Sequence, residues 1–160
     1  DVFLYSDTIL NNITLNNSSI IKEEVIAAAK SIGAHEFIMN MPGDYNYNVK
    51  ERGATLSVGQ RQLLAFLRAY VHKPAILILD EATSSIDSYS EKLIQEATDK
   101  ITKYQTSIII AQRLTTVKKA DRIIVMDKGA IVEQGSHAEL LAKGGYYKNL
   151  YDMQFANEVA

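Results

Sequence analysis

The chain has 160 residues, 47% of them hydrophobic and 22% charged, with 17 basic against 19 acidic side chains and a formal net charge of -2. This length supports one domain with a core, burying roughly two thirds of the unfolded surface, and the composition argues against a disordered chain. A near-neutral balance without a basic block argues against nucleic acid as a partner, and the absence of cysteine excludes disulfides and thiolate metal sites.

The chain opens on Asp1 and the apolar string DVFLY, as expected of a segment cut from something longer. From Ile20 to Ile32, Val25, Ile26, Ala29 and Ile32 recur at helical spacing, with Glu23 and Glu24 near the positive end and Gly33 as the stop. A short helical piece over Ala34 to Met41 ends at Pro42, and the Asn-, Tyr- and Gly-rich run from Gly43 to Gly53 reads as a loop. Gln60 to His72 is predicted to be a well-buried helix, its stripe formed by Leu63, Leu64, Leu67 and Val71.

After Pro74 the run AILIL lacks alternation, as in a parallel strand covered on both faces, and TSIIIA reads as a second buried strand. Between them lies a helix with Leu93, Ile94, Ala97 and Ile101 on one face, which Asp87 can cap. Asp127-Lys128-Gly129 looks like a tight hairpin connection between Arg122 to Met126 and Ala130 to Gln134. Ser136 with Glu139 makes a capping box for one closing helix, and Tyr146 to about Phe155 forms the other. The fold class expected is α/β: a helical part over residues 1–73, then alternating strands and helices over 74–160. No aliphatic run approaches the roughly 20 residues that span a bilayer. His35, His72 and His137 stand singly and are expected to face solvent, with no metal cluster among them.

Two segments carry chemistry. LSVGQ precedes a strong helix, so free N–H groups beside the small Ser57 and Gly59 suit an anionic phosphate; Ser57 and Gln60 equally have the spacing of a simple capping box. ILIL ends in Asp80-Glu81, two carboxylates at the carboxyl end of a strand. Such a pair suits phosphoryl transfer, with Asp80 holding Mg²⁺ through water and Glu81 polarising the attacking water; ordinary loop carboxylates are the alternative.

LSVGQ, RQLLAFLRA, ILILDEATSSID and TSIIIAQRL occur in an order and at separations that resemble the ABC ATPases, over Val2 to about Phe155. The resemblance implies a partial P-loop NTPase fold. LSVGQ looks like the signature motif, ILILDE the Walker B strand, SSID the D-loop and IIIAQRL the switch loop. It implies that Ser57, Val58, Gly59 and Gln60 touch the γ-phosphate of ATP bound to an opposite domain. Asp80, Glu81 and Gln112 would serve the nucleotide of the chain's own domain, and Ser84, Ser85 and Asp87 would lie at the dimer interface. VFLYSDTILNNI looks like the segment after the Q-loop. YNVKERGATLS is similar to the exporter X-loop, and the tail from Asp121 to Phe155 resembles the usual end of exporters. The implied protein is an exporter of a lipid, drug or similar amphiphile, using ATP and Mg²⁺ at the cytoplasmic face of the membrane. Its implied partners are a second ABC ATPase domain, as a homo- or heterodimer, a transmembrane domain of the same polypeptide and the transported substrate.

The pattern also departs from the family. No GxxxxGK[ST] phosphate loop occurs in these residues, so the isolated chain is expected neither to bind ATP tightly nor to hydrolyse it. Val58 replaces the commoner glycine, Gln112 the switch histidine, and Lys50 the usual X-loop glycine. The alternative is therefore a degenerate, mainly non-catalytic partner domain in a heterodimeric exporter. A soluble ABC ATPase of DNA repair or translation is disfavoured, because no long coiled coil or basic arm is present.

Overall fold

The computed structural model describes residues 2–80, 88–103, 105–111 and 114–158. It divides into two compact units, residues 1–109 and 110–160.

The first unit is mostly helical: α1 (Ile9–Thr14), α2 (Lys22–Ile32), α3 (His35–Met39), α4 (Val58–His72) and α5 (Ser88–Thr102), with strands β1 (Ile76–Asp80) and β2 (Thr106–Ile110). α2 ends where expected, at Gly33 in the left-handed region. α1 is an element the periodicity does not reveal. It is six residues long and starts because Thr8 Oγ1 accepts from the Asn11 N–H at 3.0 Å. α4 buries Leu63, Leu64, Phe66 and Leu67, and α5 presents Ile94, Ala97 and Ile101 to the same core. Leu4, Ile9, Ile13, Val25, Ile32, Ile38, Tyr45 and Val49 complete it. The segment from Gly43 to Gly53 is a loop containing two 3-10 turns, Asp44–Asn46 and Glu51–Gly53. α5 packs on α4 and α2 within the first compact unit, which ends at Ile109, one residue before the end of β2.

β1 pairs with β2. Neither strand is buried on both faces, contrary to the expectation from AILIL and TSIIIA. Leu77 is 7% exposed and faces the core, while Ile76, Ile78, Ile108 and Ile110 are 54–66% exposed. The reason is that the described residues cover one face of this pair, so burial alternates although the sequence does not.

The second unit holds α6 (Leu114–Val117), β3 (Ile123–Asp127), β4 (Ala130–Gly135), α7 (His137–Lys143) and α8 (Tyr146–Glu158). β3 and β4 form the expected antiparallel hairpin, joined by Lys128 and Gly129, both left-handed, as a two-residue primed turn requires. A bulge shifts the register between Val125 and Met126. Ile123, Val125, Leu140 and Tyr147 make a small core. The capping box of α7 is present as expected: Ser136 Oγ accepts from the Glu139 N–H, and the Glu139 carboxylate accepts from the Ser136 N–H at 2.8 Å. The Ser136 N–H and then its hydroxyl, both donating to that carboxylate, hold it below the usual carboxylate range.

Candidate functional site

The two proposed chemistries sit at the start of α4 and at the end of β1. At α4 the capping-box reading and the phosphate reading meet in one geometry. Ser57 Oγ accepts from the Gln60 N–H at 3.2 Å, and Gln60 Oε1 accepts from the Ser57 N–H at 2.9 Å. Both acceptors are therefore turned inward. What remains is a set of donors: the Ser57 hydroxyl hydrogen, the Gln60 amide NH₂, and the Val58 and Gly59 N–H groups, which a first helical turn leaves without an intrahelical partner. Ser57 and Val58 are exposed, Gln60 is half-buried and Gly59 is buried. The turn can thus receive an anion of several oxygens, aided by the positive end of a 15-residue helix.

The turn is held from behind. Arg61 donates to the Leu56 carbonyl at 2.6 Å and to that of Gly53 at 3.5 Å. Gly53 has φ +69°, and a Cβ there would meet Leu4 Cδ1 at 2.8 Å and Arg61 Cδ at 3.1 Å. Only glycine fits the loop this closely against the helix.

Asp80 closes β1 as an exposed carboxylate, at the strand end expected for a ligand. A carboxylate oxygen there is a hard ligand suited to Mg²⁺. Among the described residues no group of three carboxylate or imidazole side chains converges to hold a metal. No hydrogen bond or ion pair joins Asp80 to the α4 turn among the described residues. Glu81, Ser84, Ser85, Asp87 and Gln112 lie outside the described residues.

The histidines are not solvent-facing. His35 Nδ1 lies 2.9 Å from the Tyr45 hydroxyl, His72 Nε2 3.1 Å from the Ile13 carbonyl oxygen, and His137 Nδ1 2.7 Å from the Tyr147 hydroxyl. Each ring is half-buried with a partner, because a single imidazole on a helix can fill core space while its nitrogen is satisfied. Motif reasoning also passes over Arg68 and Asn12. The available signal was a lone cation inside the apolar run LLAFLRAYV. Among the described residues no helix is long and apolar enough to cross a membrane.

A donor-rich turn at a helix start and an acid at an apolar strand's carboxyl end are the arrangement expected of an α/β protein that handles phosphate. Comparison with known proteins narrows the class. The ABC transporter family profile matches residues 3–84, just over half of the chain. A multidrug export ATP-binding/permease protein of Staphylococcus aureus strain COL is 50% identical over 154 residues, and its counterpart in the bovine strain RF122 is 49% identical. In both cases the match covers 96% of this chain and 27% of the relative. A solved bacterial Atm1-family ABC exporter with ATP bound superposes with a TM-score of 0.83 at 39% identity, over 96% of this chain and 27% of that one. The chain belongs to the ABC transporter family and has part of the ABC ATPase fold; it spans about a quarter of the length of these relatives.

Proposed function

We propose that this chain is part of the ATP-hydrolysing domain of an ABC exporter, coupling ATP turnover to the movement of a lipid, drug or similar amphiphile across a membrane. The single observation that carries the reading is the α4 turn, where the capping box turns the Ser57 and Gln60 oxygens toward the backbone and leaves their donors, with the Val58 and Gly59 N–H groups, for an anion. Residues 1–73 are the helical signature part and 74–160 the C-terminal part of the α/β core. Ser57, Val58, Gly59 and Gln60 engage the γ-phosphate of ATP bound by a second ATPase domain. Asp80 faces Mg²⁺ through water, Glu81 orients the attacking water, Gln112 donates to the γ-phosphate, and Ser84, Ser85 and Asp87 line the contact with the second domain. The metal supplies neutralisation of the charge developing on the phosphate oxygens. The exposed face of Ile76, Ile78, Ile108 and Ile110 is where the rest of the ATPase domain packs. The working protein acts at the cytoplasmic face of a membrane, joined to its own transmembrane domain.

Without a GxxxxGK[ST] run, these 160 residues by themselves do not turn over ATP. The test is steady-state MgATP turnover of the complete transporter. Glu81→Gln is expected to lower kcat by about a hundredfold or more with ATP still bound. A second reading, a mainly non-catalytic partner domain, is favoured by Gln112, which the resemblance to ABC ATPases aligns with their switch histidine. Unchanged turnover in Glu81→Gln would select it over the motor.

A further inference from the structure

We infer that Arg68 is a positioning residue that fixes the phosphate-facing turn of α4 to the Phe3–Asn12 segment, so that the two move as one body; the functional consequence rests on the ATPase reading above. The inference comes from the carbonyls of α1. A six-residue helix leaves its last four carbonyls without intrahelical donors, and each can be traced. Leu15 N–H donates to the Asn11 carbonyl at 2.8 Å and Asn17 N–H to that of Thr14 at 3.0 Å. The other two are taken by α4: Arg68 Nε–H donates to the Asn12 carbonyl at 2.9 Å, and His72 Nε2 lies 3.1 Å from that of Ile13. Arg68 and His72 are four residues apart and share one face of α4.

Arg68 does more than close α1. Both terminal nitrogens of its guanidinium donate to the Phe3 carbonyl at 3.3 Å, 65 residues away in sequence. Among the described residues its hydrogen bonds go to carbonyls and none to a carboxylate. Burial lowers its pKa, the sign of a cation held in place against a desolvation cost. Asn12, 1% exposed, locks the other side. Its Oδ1 accepts from the Tyr5 N–H at 2.8 Å, and its Nδ2 donates to the Tyr5 and Thr8 carbonyls, each at 3.0 Å.

The segment therefore meets α4 directly at Arg68 and His72, and reaches the helix tip only through the loop before it. Near the tip, Leu4 lies against Gly53, which Arg61 also contacts. About 16 Å along the helix from Ser57, by its rise per residue, Arg68 grips the Phe3 and Asn12 carbonyls, and one turn further on His72 meets that of Ile13. One contact far along the helix and one on the loop that Arg61 ties to its tip fix direction as well as position. A shift of the segment is then carried to Ser57, Gly59 and Gln60, where small displacements matter for a group in flight.

The experiment uses the complete transporter with Arg68→Gln, which keeps a donor but loses the fork, and Arg68→Lys, which keeps the charge. Spin labels at Ser6→Cys and Val58→Cys, on a background without other accessible cysteines, report the distance between segment and tip. MgATP turnover is measured on the unlabelled variants. Arg68→Gln should broaden the distance distribution and lower kcat by about tenfold, with the ATP KM little changed. Arg68→Lys should recover part of both, while the thermal midpoints of the two variants stay close. An unchanged distribution, or a broadened one with unchanged kcat, overturns the inference. So does a kcat loss that merely follows the thermal midpoint in both variants. If the labels separate as expected but the parent protein has no turnover, the clamp stands and the ATPase reading falls.

Discussion

Lys50 occupies a backbone conformation, φ 60° and ψ -175°, that is essentially restricted to glycine. The loop holds it there from both sides: its N–H donates to Asn48 Oδ1 at 2.9 Å, and its carbonyl accepts from the Gly53 N–H at 3.2 Å. Strain of this kind costs about 1–3 kcal/mol, and glycine's extra freedom in the unfolded chain returns about 0.5–1. Lys50→Gly is therefore expected to stabilise, raising the thermal midpoint by about 2–4 °C; a lower midpoint would contradict the strain. Tyr45 gives a pH-dependent counterpart. Burial, and then the Asp44 charge beside it, push its phenol up to about 12. Because the folded state holds this proton more tightly, the contribution is full below about pH 10 and is lost as pH rises through about 12. Urea midpoints at about pH 9 and about pH 11.5 should differ less in Tyr45→Phe than in the parent chain. That variant also loses the 2.9 Å contact with His35, so it starts from a lower value.

At the scale of elements, caps decide where the helices start. The Ser57–Gln60 and Ser136–Glu139 boxes were legible in sequence because the residues that make them are three positions apart and local. The start of α8 at Tyr146 was legible too, but the group that caps it was not. Its Tyr147 N–H donates at 2.9 Å to Glu133, a carboxylate only 7% exposed on β4, 14 residues earlier. Gly145 makes room for that carboxylate: a Cβ there would lie 1.8 Å from Glu133 Oε1. Gly145→Ala should expel the side chain and leave a helix donor unmet, costing about 1–3 kcal/mol. Faster hydrogen exchange at the Tyr147 amide is the measurement, and an unchanged rate would show that the cap is dispensable. α1 was invisible for a related reason. Six residues are too few for a periodic stripe, and half of its closure comes from side chains of α4.

For the molecule as a whole, the consequence lies in the outward face of β1 and β2. Ile76, Ile78, Ile108 and Ile110 expose more than half of their surface each, an apolar patch that water solvates poorly. In isolation the 160-residue chain should self-associate at micromolar concentration. Ile78→Lys with Ile108→Lys should shift sedimentation toward the monomer without loss of helical signal. Equal association in the variant would place the contact elsewhere.

The sequence by itself determined the family, because LSVGQ, ILILDE and their spacing are linear patterns that need no neighbour to be read. It also determined α2, α4, α5 and the hairpin, whose periodicity and turn residues are local. Tertiary structure alone decided that two apolar strands bury one face each, that the histidines are partnered, and that Arg68 fastens α4 to a segment 65 residues away. Such contacts depend on what lies opposite a side chain. A linear pattern gives a residue's face, whereas only the packed chain supplies the carbonyl, the ring or the open space that the face meets.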